Sequence, residues 1–106
     1  MVTMCLSDLK EKEVVPGYKA KFIHSDNVSI VYWHIDAGAI MPEHAHPHEQ
    51  IVNMLEGEFD LIVEGKVNET KPGMIAIIPP NVKHSGKART DCRILDIFYP
   101  VRDDYR

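Results

Sequence analysis

Short apolar runs separated by turn residues dominate the hydrophobic pattern of this 106-residue chain. Runs rich in β-branched and aromatic residues are typical of β-strands. The clearest predicted strands are Ser29–Ile35, Gln50–Leu55, Phe59–Val63 and Ile94–Tyr99. No segment keeps a helical period over three turns, and the best helical candidate is the short segment Leu6–Glu13. Many short strands with glycine- and proline-rich turns predict an all-β sandwich or barrel.

Length, composition and charge indicate one small globular domain. The chain is 44% hydrophobic and 26% charged, which is ordinary for a soluble protein. A net charge of −4 without a basic stripe argues against a nucleic-acid partner. No apolar stretch approaches the roughly 20 residues that cross a membrane, and no secretory signal is recognisable. Two cysteines are too few for a disulfide framework, so we expect a cytoplasmic protein.

The N-terminal residues are expected to lie outside the barrel that the rest of the chain forms. Within a single domain spanning 1–106, we expect residues 1–18 to form an N-terminal arm and residues 19–106 to form the barrel. Such an arm either covers a sheet edge or reaches a neighbouring molecule.

Candidate chemistry is concentrated in the segment His44-Ala45-His46-Pro47-His48-Glu49-Gln50, with His84 following later in the chain. Neutral imidazole is the commonest protein ligand for transition metals, and a His-x-His pair on an extended segment directs both rings to one side. Gln50 can bring a fourth group to the same centre. The pattern predicts a site for one divalent ion, with nickel, zinc, manganese, iron and copper all suited to it. The alternative is a solvated histidine-rich loop that binds nothing.

The other histidines are weaker candidates for metal binding. His48 follows Pro47, so we expect its ring to face outward or to line the mouth of the site rather than to bind metal. His24 is best interpreted as a histidine whose hydrogen bonds are satisfied. His34 alternates with Tyr32 and Asp36 and could line the barrel.

The C-terminal strand carries a second constellation. Ile94, Asp96 and Phe98 share one face because side chains alternate along a strand. If this face looks inward, Asp96 is a carboxyl group in apolar surroundings, where burial and a nearby cation tune its pKa. The alternative is that Asp96 bonds a turn and that Arg102 is a solvated charge in the tail.

The turn residues and histidines together resemble the two motifs of the cupin family. The first motif is matched in spacing by Gly38, His44, His46, Gln50 and Gly57, with glutamine where glutamate is usual. The second is matched by Gly73, Pro79 and His84, with Asn81 replacing the usual glycine and Ala88 the usual asparagine. Asparagine tolerates the left-handed conformation, and position 88 provides no metal ligand. The resemblance implies a cupin-type double-stranded β-helix (a jelly-roll barrel) in which His44, His46, Gln50 and His84 converge on one divalent transition metal.

The C-terminal residues resemble those of one group of cupins in particular. Asp96, Phe98 and Arg102, followed by an acidic pair and an aromatic residue, look like the ending of KdgF-type cupins. These pectin-degradation proteins open the ring of 4,5-unsaturated uronates to give linear 5-keto-4-deoxyuronates. The resemblance implies that Asp96 is the catalytic acid/base residue, that Phe98 forms a pocket wall, and that Arg102 contacts the substrate carboxylate. It also implies a small sugar acid as the partner molecule and a homodimer.

Two other classes of function remain open from the sequence. One is a cupin dioxygenase, in which a redox-active metal activates oxygen. The other is a non-catalytic module that only binds a metal or a metabolite in the same pocket.

Overall fold

Ten β-strands and two single 3-10 turns form the regular structure of the protein in a computed structural model that describes residues 1–106. The strands are Lys12–Val15 (β1), Tyr18–His24 (β2), Ser29–Ile35 (β3), Ile40–His44 (β4), Glu49–Glu56 (β5), Phe59–Val63 (β6), Lys66–Thr70 (β7), Ile75–Ile78 (β8), His84–Ala88 (β9) and Cys92–Tyr99 (β10). The 3-10 turns are Leu6–Asp8 and Asp103–Tyr105. The four strands predicted from the sequence are β3, β5, β6 and β10, and their bounds agree to within two residues.

The strands form two antiparallel sheets that enclose the core. The larger sheet has six strands in the order β1-β2-β3-β10-β5-β8, and the smaller has four in the order β4-β9-β6-β7. Each sheet combines strands from distant parts of the chain, as in a double-stranded β-helix, so the predicted jelly-roll fold is confirmed. The core is made of inward-facing side chains of both sheets, including Val31, Trp33, Ile35, Leu61, Ile94 and Phe98.

The N-terminal residues divide into two parts. The helical candidate Leu6–Glu13 forms only one 3-10 turn before the chain enters β1. β1 pairs with β2 and forms one edge of the larger sheet, and Tyr18 at the start of β2 is 3% exposed. Residues 12–18 of the predicted arm therefore belong to the sheet, whereas residues 1–11 precede it. No helix has the length and apolar character that crossing a membrane requires.

Strand alternation decides which side chains can reach the interior. In β3, Val31, Trp33 and Ile35 are buried in the core. Because side chains alternate, His34 lies on the outer face of the sheet, and the suggestion that it lines the barrel is wrong. In β10 the buried residues are Ile94, Asp96 and Phe98, so the constellation in this strand does face inward.

The turn before His84 shows why asparagine can replace the usual glycine of the motif at position 81. Asn81 adopts a left-handed backbone conformation with φ of 65°, which asparagine tolerates better than most residues other than glycine. Its backbone N–H donates to the carbonyl oxygen of His46 at 2.8 Å. The turn that leads to His84 is thereby tied to the segment that carries the other histidines.

Candidate metal centre

Three histidines from two neighbouring strands and a loop meet at one end of the barrel. His44 at the end of β4 is directly paired with His84 at the start of β9, and their ring centroids are 4.3 Å apart. His46 follows in the loop, with its ring centroid 4.9 Å from that of His84. One nitrogen from each ring lies within 4.8 Å of the others, close enough for the three to hold a metal ion.

Backbone carbonyl groups orient all three rings in the same way. The Nδ1 atoms of His44 and His84 lie 2.8 Å from the carbonyl oxygens of Pro42 and Val82, respectively. The Nδ1 atom of His46 lies 3.0 Å from the carbonyl oxygen of His48. Since a carbonyl oxygen can only accept, each Nδ1 must carry the proton. In the neutral rings, Nε2 therefore keeps its lone pair, as ligation of a metal requires.

Gln50 on β5 connects this cluster to Asp96. Its Nε2 donates to Asp96 Oδ2 at 2.9 Å, which fixes the orientation of the amide. Its Oε1 is consequently turned toward the histidines and lies 3.1 Å from His46 Nε2. Both of these atoms are acceptors, because the proton of His46 is on Nδ1. Two facing lone pairs in a buried site fit a cation that binds both.

The remaining electrostatics also fit a metal ion. The Nε2 atom of His84 is buried and has no hydrogen-bond partner, although buried polar atoms are normally paired. Burial, reinforced by the charge of Arg102, lowers the pKa of His46 to about 4, and burial lowers the pKa of His84. Both rings are therefore neutral near pH 7. Three imidazoles and one carboxamide oxygen form an uncharged donor set, which suits a divalent transition metal.

Asp96 on β10 has one carboxyl oxygen that accepts hydrogen bonds and one that has no hydrogen-bond partner. It is 5% exposed, and its Oδ2 accepts hydrogen bonds from Trp33 Nε1 and Gln50 Nε2, both at 2.9 Å. Its Oδ1 is buried without a partner. Burial raises the pKa of Asp96 to about 7, although the two hydrogen bonds and the charge of Arg102 oppose the shift. A carboxyl group with this pKa can both give and take a proton near neutrality.

Arg102 lies beside the same cavity and is surrounded by the side chains of Phe98, Asp104 and Tyr105. Its guanidinium carbon is 4.7 Å from the ring centroid of Phe98 and 4.2 Å from that of Tyr105. Its Nε and Nη2 donate to the two carboxylate oxygens of Asp104 at 2.9 and 2.7 Å. The backbone N–H of Arg102 donates to Ser29 Oγ at 2.8 Å, which anchors the segment. Arg102 is thus a buried cation with Nη1 outside this bidentate pair, rather than a solvated charge in the tail.

The sequence-predicted site residues are therefore brought together. One cavity between the sheets is lined by His44, Gln50, His84, Asp96, Phe98 and Arg102, and His46 closes the histidine cluster. His48 lies beside His46 but outside the cluster. His24 bonds to Ser29 Oγ and the Tyr105 carbonyl oxygen, in keeping with its predicted satisfied state.

Sequence reasoning missed the residues that position the site. Trp33 and Asp104 contact Asp96 and Arg102, respectively. Trp33 shares the apolar phase of β3, and a buried indole N–H needs an acceptor, so this signal was present in the sequence. The backbone carbonyl groups that orient the histidines could not be predicted, because their positions do not depend on which side chains those residues carry.

Fold and cluster together define a small β-barrel protein with a pocket able to hold a metal ion. The chain belongs to the cupin family, because the cupin domain (Cupin_2) matches residues 31–98. Its structure is similar to that of KdgF from a Halomonas species, with a TM-score of 0.93 and 28% identity, covering 100% of this chain and 99% of the other. It also matches oxalate decarboxylase from Bacillus subtilis over 92% of this chain and 29% of that one, with a TM-score of 0.81. At 20% identity, this second match concerns the fold alone.

The chain is also similar in sequence to curated proteins. The chain is 32% identical over 97 residues to pectin degradation protein KdgF of Dickeya dadantii, covering 89% of this chain and 88% of that protein. The resemblance to KdgF-type cupins is therefore confirmed. The chain is also 30% identical over 100 residues to H2HPP isomerase of Bacillus subtilis. That alignment covers 92% of this chain but only 42% of the isomerase.

Proposed function

We propose that this cupin is a metal-dependent enzyme that opens the ring of 4,5-unsaturated uronates to linear 5-keto-4-deoxyuronates. The observation that carries the proposal is the meeting of three different groups at one cavity. These are the neutral histidine cluster, the unpartnered Oδ1 of Asp96, and the buried guanidinium of Arg102. The similarity to KdgF over most of both chains supports the same reaction. We further propose that the protein acts in the cytoplasm as a homodimer.

Four residues with uncharged donor atoms would hold the ion. His44, His46 and His84 would contribute Nε2 atoms, and Gln50 would contribute Oε1. A divalent ion bound by these uncharged ligands supplies Lewis-acid chemistry toward a substrate oxygen. Nickel, zinc, manganese, iron and copper all remain candidates.

Asp96 is the proposed acid/base residue. Trp33 and Gln50 hold its Oδ2, so the proton is exchanged at Oδ1. With a pKa of about 7, raised by burial, Asp96 is present in both protonation states near neutrality. It gives a proton to C4 of the enol ether. The C1 hydroxyl loses a proton as the bond between C1 and the ring oxygen breaks, which leaves an aldehyde at C1 and a ketone at C5. The conversion is an isomerisation and needs no oxidant or reductant. The B. subtilis relative is also named an isomerase.

Arg102 and Phe98 are the proposed substrate-binding groups. Arg102 pairs with the substrate carboxylate through N–H groups that Asp104 leaves available, since Nη1 takes no part in the bidentate contact. Phe98 forms a wall between Arg102 and His46, with its ring centroid 5.6 Å from that of His46. This wall limits the space around the substrate ring and excludes water.

The direct test is to incubate the metal-loaded protein with unsaturated uronate monosaccharides and to follow the loss of ultraviolet absorbance from the conjugated double bond. We expect loss above the uncatalysed rate both in air and under nitrogen. Turnover of a substrate only in the presence of oxygen would instead favour the dioxygenase. Saturable binding without turnover would favour the non-catalytic module.

A further inference from the structure

Tyr18 on β2 lines the same cavity as Asp96 but has no role in the reaction described above. The residue is 3% exposed, and its hydroxyl oxygen is buried without a hydrogen-bond partner. Buried polar groups are normally paired, because leaving one unpaired costs free energy. Tyr18 and Asp96 are thus two side chains of one cavity that each carry a buried oxygen without a partner.

The Tyr18 hydroxyl can act as a hydrogen-bond donor. Burial raises the pKa of Tyr18, and the charge of Asp96 acts in the same direction, so the hydroxyl stays protonated near neutral pH. The backbone of Met41 opposes this shift of the pKa, as an N–H group does when it faces a phenol oxygen. Since an N–H group can only donate, the phenolic proton has no acceptor in the protein.

An aromatic contact fixes the position of the Tyr18 ring. The ring meets that of Trp33 edge to face, with the two centroids 5.8 Å apart. The indole N–H of Trp33 in turn donates to Asp96 Oδ2 at 2.9 Å. Trp33 therefore positions both Tyr18 and the carboxyl group of Asp96. A donor that is already held in place loses little conformational freedom when a ligand binds.

Strand register gives the order of the polar groups along the cavity. From its end toward its start, the inward-facing residues of β10 are Phe98, Asp96, Ile94 and Cys92. Arg102 lies over the Phe98 ring, at one end of this series. Tyr18 lies in the row of Cys92, at the other end, since both residues pair with Ile35 of β3. The row of Asp96 is therefore between those of Arg102 and Tyr18.

The substrate of the proposed reaction carries its functional groups in a matching order. In a 4,5-unsaturated uronate the carboxylate is attached to C5, C4 comes next, and C3 bears a hydroxyl group. With the carboxylate at Arg102 and C4 at Asp96, the C3 hydroxyl is directed toward Tyr18. The oxygen of this hydroxyl can accept the proton for which the protein itself supplies no acceptor.

We propose that Tyr18 is a substrate-binding residue that donates a hydrogen bond to the C3 hydroxyl of the uronate and thereby selects substrates that carry this group. This role rests on the proposed function, because it requires the uronate carboxylate to lie at Arg102. Ile35, Phe59 and Leu61 line the same cavity with apolar side chains. Without Tyr18 the substrate hydroxyl is left unpaired among such side chains, and sites built to bind a hydroxyl group discriminate strongly for this reason.

Steady-state kinetics of wild type and Tyr18→Phe test the proposal, with a 4,5-unsaturated uronate and its 3-deoxy analogue as substrates. We expect Tyr18→Phe to lower kcat/KM for the uronate about 10-fold, in line with the loss of one hydrogen bond. Wild type and Tyr18→Phe should turn over the 3-deoxy analogue equally, since this substrate has no hydroxyl to bind. Tyr32→Phe is the matched control, because Tyr32 lies on the outer face of β3, and it should match the wild type with both substrates.

Thermal unfolding separates a binding role of the hydroxyl from a structural one. The Tyr18 hydroxyl has no partner in the protein, so Tyr18→Phe should leave Tm unchanged or raise it. A fall in Tm of several degrees would assign the hydroxyl to the stability of the fold and would overturn the proposal.

Two kinetic results would also overturn the proposal while leaving the ring-opening reaction in place. One is an equal kcat/KM of wild type and Tyr18→Phe for the uronate, and the other is an equal loss with both substrates. Absence of turnover by the metal-loaded wild type would instead refute the proposed function, and the role of Tyr18 with it.

Discussion

Removal of one histidine from the cluster should separate metal binding from folding. His46 is 7% exposed, and its Nε2 faces Gln50 Oε1 at 3.1 Å. His46→Ala removes one of four proposed ligands, and we expect a loss of affinity of at least about 100-fold, more than loss of a supporting hydrogen bond costs. A metal at 100 times its dissociation constant stabilises the wild type by about 2.7 kcal/mol. For a domain of this size that corresponds to a rise in Tm of about 10 °C.

The variant should respond quite differently at the same metal concentration. With affinity reduced about 100-fold, its stabilisation falls to about 0.4 kcal/mol, or a shift of about 2 °C. Thermal unfolding of each protein with and without nickel or zinc measures both shifts, and elemental analysis should find about one ion per wild-type chain. His34→Ala, on the outer face, is the control and should keep the full shift. Equal shifts and equal metal content in wild type and His46→Ala would refute the site assignment.

Three further substitutions test individual contacts. Gln50→Glu should retain or strengthen metal binding by adding a negative charge, but should weaken the ion as a Lewis acid; elemental analysis showing complete loss of metal would place Gln50 outside the ligand set. Arg102→Lys keeps the charge but loses the planar fork, so KM for carboxylate-bearing substrates should rise while a neutral analogue is unaffected; equal KM changes for both would argue against a carboxylate contact. Hydrogen bonds from Arg102 hold the pKa of Asp104 below its usual range, so this carboxylate stabilises the fold above its unfolded pKa of about 3.9 and loses that contribution as pH falls through the folded pKa. Because the Asp104 side chain is 55% exposed, Asp104→Asn should cost less than about 1 kcal/mol at pH 6, and urea unfolding should show this difference shrinking as the pH falls below about 3.9, the pKa of an unpaired aspartate; a difference that stays constant down to acid pH would contradict the pairing.

Much of the fold could be predicted because local signals agreed with one another. The strands β3 and β6 begin and end where the sequence pattern predicts, and Gly57, with φ of 86°, adopts the conformation that its turn requires. Asn81 shows that a departure from a motif can be interpreted physically, since its left-handed conformation replaces that of glycine. The phase of β10, with Asp96 inward, follows from the period of two.

Other features depend on pairing between distant segments. Side-chain spacing alone could not place His34, because both faces of β3 carry aromatic residues and the core selects the face with Trp33. The hydrogen bond from Trp33 to Asp96 joins residues 63 positions apart, so no local pattern identifies the acceptor of the indole N–H.

The proposed function requires that Asp96 moves a proton in a reaction that the metal-loaded cluster supports. Turnover of unsaturated uronates by wild type and Asp96→Asn, compared at equal metal content, tests it most directly. Asparagine has nearly the same shape and can still accept from Trp33 and Gln50 through its oxygen, so the variant should fold, melt within a few degrees of wild type and bind metal. Its ultraviolet assay should nevertheless show a rate lower by about two orders of magnitude or more, in line with loss of general acid–base catalysis. A rate equal to that of the wild type would contradict the account.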